Sequence, residues 1–177
     1  HNDQHLRQSQ SQLVGKWRHR RCHLSVQMIR YSVDSVFDSQ VEALVCPVNT
    51  RGVMGAGLAV EFRRRWPRLC DGYIHACHNG DFAIGGLVVM RPATHQPDDK
   101  TLIFLATKED WRRPARLDYV ESGLTAFVHA ARHSGFPASV SFPQLGCGRG
   151  GLDWRDVQPV IERHLSSLPL DITIHLT

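Results

Sequence analysis

The sequence predicts a single domain of the α/β class, and two observations support this prediction. Six short apolar runs typical of strands recur along the chain, and helical or loop stretches separate them. A glycine-rich loop joins the second run to an amphipathic segment that starts near residue 58. The length of 177 residues suits one domain with a sizeable core. The predicted strands are residues 28–31, 43–48, 87–91, 102–106, 139–142 and 172–176.

Two helices are predicted ahead of the last one. The first covers residues 58–66, where apolar side chains recur at helical spacing, and Pro67 closes it. The second opens at Asp118, whose spacing to Glu121 matches a capping box. We expect it to end before Gly135, because glycine tolerates the left-handed conformation just past a last turn.

A proline limits where the last predicted helix can start. Its apolar face runs over residues 157–165. Pro159 fits the first turn if Asp156 is the N-cap, whereas an earlier start would place the proline in the helix interior. The sequence therefore favours the later start.

The N-terminal 27 residues differ in composition from the rest of the chain. They are rich in Gln, His and Arg, and their excess of basic residues accounts for the net charge of +4. We expect residues 1–27 to be a poorly ordered basic leader or a remnant added for expression, and residues 28–177 to form the domain. No apolar run has the length of a membrane span or of a signal peptide, so we expect a cytoplasmic protein. We separately expect it to be a monomer.

The cysteine pattern predicts free thiols and no metal site. The chain has five cysteines, an odd number, and none forms a C-x-x-C pair. Cys70, His75, Cys77 and His78 lie close together in sequence, but no second pair follows at zinc-finger spacing.

The glycine-rich loop at residues 49–57 is typical of a site for a phosphorylated ligand. Gly52, Gly55 and Gly57 allow the backbone to approach a ligand closely. The helix that follows would point unpaired amides and the positive end of its dipole toward an anion. The spacing matches neither the dinucleotide fingerprint nor the P-loop, and a plain strand-to-helix turn explains the pattern equally well.

Two further segments follow predicted strands, and with the first loop they resemble a known family. These segments are residues 101–113 and 142–154, which would share one edge of the sheet with the glycine loop. The motifs NTRGVMGAG, ATKEDW and LGCGRGGLDW together resemble the macrodomain superfamily, in particular its branch of DarG-type DNA ADP-ribosyl glycohydrolases and terminal ADP-ribose glycohydrolases. The resemblance implies a three-layer α/β/α sandwich on a mixed, mostly parallel sheet of about six strands. It also implies that ADP-ribose lies across the strand ends, with no cofactor.

The resemblance implies a set of site residues. Lys108 matches the lysine proposed as nucleophile toward the anomeric carbon, or at least as an essential catalytic group, and Asn49 matches the asparagine near the distal ribose. Asp34 falls where macrodomains place the aspartate that accepts the adenine amino group. The remaining ligand-binding candidates are Gly52, Val53, Met54, Gly55, Gly57, Leu145, Gly146, Cys147, Gly148, Arg149, Gly150 and Gly151.

The small number of lysines is a separate reason to consider Lys108. The chain has 18 Arg and only 3 Lys, so a general need for positive charge is met by arginine. Lysine, unlike arginine, can lose its proton and attack an electrophilic carbon. Without the resemblance, a surface lysine at a strand end would be the simpler interpretation. The resemblance places Gly150 where the vertebrate relative has an acidic residue that helps to release product, so a mechanism that needs an acid there is excluded. A lysine-only route and a substrate-assisted route both stay open.

The segment after Lys108 mixes aromatic rings with arginines. Trp111, Arg112, Arg113 and Arg116 are candidates for contacts to single-stranded DNA, in which bases stack on rings and arginines neutralise phosphates. The alternative is a helix entry with solvated arginines and a tryptophan that is partly in the core.

The function that the resemblance implies is removal of ADP-ribose from modified DNA. The expected substrate is thymidine in single-stranded DNA, and the expected partner is a toxin of the DarT type, whose modification the enzyme would reverse. Two alternatives stay open: a reader that binds ADP-ribose without turnover, and a hydrolase of ADP-ribose on protein carboxylates or of acetylated ADP-ribose.

Overall fold

The protein forms a six-stranded sheet with four α-helices, as a computed structural model that describes residues 29–94, 96 and 98–177 shows. The predicted leader of residues 1–27 lies outside the described residues. The strands are β1 (Arg30–Ser32), β2 (Ala43–Asn49), β3 (Leu87–Met90), β4 (Thr101–Lys108), β5 (Ser139–Pro143) and β6 (Asp171–His175). The helices are α1 (Leu58–Arg65), α2 (Pro67–His78), α3 (Leu117–Ala131) and α4 (Trp154–Leu165), and a 3-10 turn covers Val36–Asp38.

The sheet is mixed and mostly parallel. Its strand order is β1-β6-β5-β2-β4-β3, and β3 alone is paired antiparallel, to β4. The central strands β2 and β4 are almost wholly buried, because helices cover both faces of the sheet. This burial explains why both strands appear in the sequence as continuous apolar runs.

Helices pack on both faces of the sheet and complete three layers. On one face, α3 and α4 bury a core that includes Leu124, Phe127 and Ile161. On the other, α1 and α2 bury Phe62 and Tyr73 against β2 and β4. The predicted α/β/α sandwich is confirmed. Among the described residues, no helix is both long and apolar enough to cross a membrane.

Helix α2 was not predicted from the sequence. Pro67 was expected to end the first helix, and α1 does end at Arg65, but the proline then occupies the first turn of α2. Proline suits that position because its missing N–H has no partner in a first turn. The residues considered and rejected for zinc lie on this helix, where Cys70 is fully buried in the core.

The N-caps predicted for α3 and α4 are wrong by two or three residues. Arg116 caps α3 in extended conformation, and Asp118 lies inside the first turn, where its carboxylate accepts from the Arg116 guanidinium. Asp153 caps α4 by accepting from the Arg155 amide, so Pro159 does lie inside the helix. An interior proline costs more than one cap contributes, so the packing of the buried face of α4, which includes Val157 and Ile161, accounts for the earlier start.

Candidate active-site cleft

A cleft of about 1020 Å³ lies at the carboxyl ends of β2, β4 and β5. Both glycine-rich loops line it, together with the segment that follows β4 and the last residue of the chain, Thr177. The three motif segments therefore meet at one edge of the sheet, as the strand pattern predicted, and ligands of open α/β sheets bind at such an edge.

Asn49 organises the first glycine loop. Its side-chain oxygen accepts from the amides of Arg51 and Val53 at 2.9 and 3.3 Å. Its Nδ2 donates to the Val53 carbonyl at 2.8 Å. The residue is 5% exposed and lines the cleft. The Asn49 side chain thus uses most of its hydrogen bonds to hold the conformation of residues 49–53.

Lys108 lies beside Asn49 at the end of the neighbouring strand. The two residues are register partners across β2 and β4, and a register shift in the ladder just before Asn49 leaves Thr107 as an extra residue on β4. Bulges of this kind bend a strand and re-aim a side chain. The Lys108 ammonium is 3.5 Å from the carbonyl oxygen of Arg149 in the second glycine loop. The amine therefore stands between the two loops.

The second glycine loop is shaped by backbone contacts. Leu152 and Ala115 donate their amides to the carbonyls of Gly146 and Gly150 at 3.0 and 2.9 Å. A Cβ added at Gly150 would lie 2.3 Å from the Gly146 oxygen and 2.7 Å from the Ala115 Cβ. Only glycine fits there, so this loop conformation has no room for an acidic side chain at residue 150.

The two loops approach each other across the cleft at Arg149 and Gly57. A Cβ on Gly57 would lie 3.5 Å from the Arg149 Cδ, so the arginine side chain packs over the first loop. Gly57 is also the N-cap of α1, with φ of +60° and no side-chain cap. The first amides of α1 and the positive end of its dipole face the site, and this arrangement suits an anion.

The structure divides the predicted site residues into two groups. The residues that line the cleft are Asn49, Val53, Gly55, Gly57, Lys108, Trp111, Arg112, Gly146, Cys147, Gly148, Arg149 and Gly150. The residues outside the lining are Asp34, Gly52, Met54, Leu145, Gly151, Arg113 and Arg116.

The residues outside the lining have other surroundings. Met54 and Leu145 are buried in the two cores, and Gly52 packs on α2. Asp34 follows β1 at the same sheet edge, and its main-chain oxygen is 2.9 Å from the His175 Nδ1 at the end of β6. Their roles as ligand contacts stay predictions.

The arginine-rich segment presents only part of itself to the cleft. Trp111 is 51% exposed, and the Arg112 guanidinium lies 5.0 Å from its ring centroid. Arg116 instead forms two hydrogen bonds to Asp118 and lies over the Tyr119 ring. Arg113 is exposed outside the lining. Trp111 and Arg112 are the pair placed to meet a ligand at the mouth of the cleft.

Sequence reasoning missed several residues of the lining. Thr107, Gln144 and Thr177 all line the cleft, at or just after the ends of β4, β5 and β6. The general rule that ligands bind at strand ends could have indicated them.

The thiol in the second loop is a poor nucleophile at neutral pH. Burial, with a smaller effect of Asp153, raises the pKa of Cys147 to about 11. Reactive cysteines have lowered pKa values, because the thiolate is the nucleophile. Among the cleft residues this leaves the Lys108 amine as the stronger candidate for covalent chemistry.

Known proteins resemble this chain in both sequence and structure. Residues 45–161 match the family model of the Macro domain. The DNA ADP-ribosyl glycohydrolase of Mycobacterium tuberculosis is 40% identical over 143 residues, which cover 80% of this chain and 40% of the relative. The chain thus spans about 40% of the length of the curated relatives that it matches.

Two solved structures extend this comparison. The macrodomain of Mycobacterium tuberculosis DarG superposes with a TM-score of 0.78 at 37% identity, over 85% of this chain and 98% of that one. Thermosipho africanus DarTG, solved in complex with ADP-ribose, superposes with a TM-score of 0.78 at 28% identity, over 85% of this chain and 42% of that one. On the family match and the fold, the chain belongs to the Macro domain family.

Proposed function

We propose that the protein is an ADP-ribosyl glycohydrolase that removes ADP-ribose from thymidine in single-stranded DNA. The observation that carries this proposal is the pairing of Asn49 and Lys108 on adjacent strand ends, within a cleft formed by two glycine-rich loops. Relatives that bear the name DNA ADP-ribosyl glycohydrolase support it at about 40% identity.

The loops supply the binding site for the diphosphate. The uncapped first turn of α1 offers amides to a phosphate, and the second loop with its Arg149 side chain lies opposite. Asp34, at the end of β1, accepts the adenine amino group and so sets the direction of the nucleotide along the sheet edge. This direction places the distal ribose near the ends of β2 and β4.

The reaction breaks the bond between C1 of the distal ribose and the thymine nitrogen. The Lys108 amine attacks C1, the electron pair of the broken bond leaves with the base, and a proton passes from the secondary ammonium so formed to that base. Water then displaces the lysine and gives free ADP-ribose and unmodified DNA. Positive charge builds up on the ribose in the transition state, and the nearby phosphates stabilise it. Asn49 holds the loop beside the ribose.

Trp111 and Arg112 receive the DNA strand at the mouth of the cleft. An exposed indole can stack on a base, at about 1–3 kcal/mol per base, and the guanidinium can neutralise a phosphate. The function implies that a toxin of the DarT type supplies the substrate. Thermosipho africanus has a curated relative that is named as a fusion of a DNA ADP-ribosyl transferase with the glycohydrolase.

Replacement of Lys108 tests the catalytic assignment. We expect Lys108→Ala and Lys108→Arg to retain ADP-ribose binding, measured by calorimetry, and to lose release of ADP-ribose from a thymidine-modified oligonucleotide by at least about 100-fold. Lys108→Arg controls for charge, because it keeps the positive charge and removes only the nucleophile. Release that continues at the wild-type rate in both variants would refute the role of Lys108.

A substrate panel separates the alternatives. The wild-type protein should release ADP-ribose from modified single-stranded DNA faster than from modified protein carboxylates or from acetylated ADP-ribose. Binding without release from any of these substrates would establish a reader instead.

Two arginine variants test the DNA side. Arg112→Ala should weaken binding of the oligonucleotide and reduce its salt dependence, because one phosphate contact is lost. Arg116→Ala is the matched control, since Arg116 lies outside the cleft lining and its guanidinium forms two hydrogen bonds to Asp118. Equal effects of the two variants would contradict the proposed path of the strand.

A further inference from the structure

The buried hydroxyl of Tyr73 is a polar group that the proposed chemistry does not use. Tyr73 lies on α2 and has no exposed surface, with its ring stacked on Phe104 at 4.8 Å. Its hydroxyl donates to the main-chain carbonyl of Asn49 at 2.6 Å. This hydrogen bond joins α2 to the last residue of β2, at the floor of the cleft.

The Tyr73 hydroxyl gives the Asn49 carbonyl a hydrogen-bond partner inside the protein. This carbonyl lies where the ladder between β2 and β4 shifts register, and a buried carbonyl without a partner is costly. The Cys77 thiol is 4.0 Å from the same oxygen, but a thiol is a weak donor. Tyr73 is therefore the strong partner of this carbonyl.

The first glycine loop rests on the same surface of α2. Gly52 is buried, and a Cβ added there would lie 3.3 Å from the Cys77 Cβ and 3.5 Å from Ile74. Burial raises the pKa of Tyr73, so the hydroxyl keeps its proton and stays a donor throughout the physiological pH range. Asn49 is thus held from two sides, through its side chain by the loop and through its carbonyl by α2.

We propose that Tyr73 is a positioning residue, whose hydroxyl fixes the Asn49 carbonyl and so holds the first glycine loop and Lys108 in the geometry that ADP-ribose requires. The effect of Tyr73 on catalysis rests on the proposed function. Its effect on the first glycine loop does not, because the contacts that hold the loop are all present in the protein without ligand.

Tyr73→Phe is the decisive variant, because it removes only the hydroxyl and keeps the stacked ring. Tyr31→Phe is the matched control: its hydroxyl also bonds a neighbouring helix, through Glu162 and Gln158 of α4, but on the edge strand β1. Two properties are measured. The first is amide hydrogen exchange of residues 49–57 without ligand, with residues 139–143 of β5 as an internal reference. The second is the affinity and release rate for ADP-ribose.

We expect Tyr73→Phe to speed exchange of residues 49–57 about tenfold and to weaken ADP-ribose binding by a similar factor, while β5 keeps its protection. Tyr31→Phe should leave both properties of the loop unchanged. Faster exchange in β5 as well would mean that the variant unfolds globally, and this result would overturn a local role.

Two further outcomes would overturn the proposal. One is unchanged exchange at residues 49–57, and the other is faster exchange with unchanged ADP-ribose binding and release. If the wild-type protein does not bind ADP-ribose at all, the proposed function fails, and the exchange comparison by itself still decides whether Tyr73 fixes the loop.

Discussion

The two glycine-rich loops form opposite walls of one cleft, but different forces hold them. Side chains fix the first loop: the Asn49 amide makes three hydrogen bonds to it, and Tyr73 holds Asn49. Steric fit and backbone hydrogen bonds fix the second, since a Cβ at Gly146 or Gly150 would clash with its surroundings. Substitutions that remove a side-chain hydrogen bond should therefore loosen the first loop. Substitutions that add a Cβ at a glycine should disrupt the second.

This difference bears on the acidic residue that, according to the family resemblance, the vertebrate relative has at the position of Gly150. An aspartate there would need the second loop to follow another path past Ala115 and Gly146. The backbone of this loop thus has no room for an acid at residue 150, and the proposed mechanism relies on the Lys108 amine instead.

The largest expected effect is that of Gly150→Ala. The added methyl would lie 2.3 Å from the Gly146 oxygen, so the backbone has to move, and we expect a loss of about 3 kcal/mol in the free energy of unfolding. Gly148→Ala is the matched control, because a Cβ there meets nothing within 4 Å. Thermal denaturation compares the two, and equal stability would contradict the steric basis of the second loop.

Asn49→Ala should come next in size. It leaves the amides of Arg51 and Val53 without their acceptor, and we expect a loss of about 2 kcal/mol in stability and a clear fall in ADP-ribose affinity. Asn49→Asp keeps the acceptor but turns an anionic oxygen toward the Val53 carbonyl at a buried position, so its stability should also fall below that of the wild type. Denaturant titration and calorimetry measure both. Wild-type stability of Asn49→Ala would contradict the role of this side chain in the first loop.

A smaller effect is expected inside the first loop. Gly52 has φ of +75° and packs on Cys77, so Gly52→Ala should cost about 1–2 kcal/mol. Gly55 has no positive φ and no neighbour within 4 Å of an added Cβ, so Gly55→Ala should leave stability nearly unchanged. Chemical denaturation distinguishes these substitutions, and a greater loss for Gly55→Ala would mean that the loop is held in another way.

The smallest effect concerns pH and the Cys147 thiol. Its pKa rises from 9.0 to about 11 on folding, chiefly through burial. The folded state thus favours the protonated thiol, and its contribution to stability is complete below about pH 9 and declines between about pH 9 and 11. Cys147→Ala should flatten the alkaline loss of stability in that window, as thermal unfolding would show. Rapid alkylation of Cys147 at pH 7 would contradict the raised pKa.

The sequence predicts the parts of this molecule that follow from local periodicity. Six apolar runs correspond to the six strands, and the three motif segments follow strand ends that share one edge of the sheet. Helix α2 escaped prediction because Pro67 can either end one helix or open the next, and only the packing of Tyr73 on β4 decides between them.

The candidate site was predicted only in part, for a similar reason. Lys108 and Asn49 were identified through the family resemblance, and their pairing across β2 and β4 depends on a register shift that no sequence pattern indicates. Asp118 and Asp156 have the chemistry of N-caps, but Arg116 and Asp153 hold those positions because tertiary packing sets where each helix starts. Local preferences place such residues only to within about a turn.

The most direct test of the central claim is a structure of the protein with ADP-ribose bound. The diphosphate should lie between residues 49–57 and 144–151, with the Lys108 Nζ within roughly 4 Å of C1 of the distal ribose, the reach of a near-attack geometry. A ligand bound with that carbon far from Lys108, and with the amine turned toward bulk solvent, would contradict the claim.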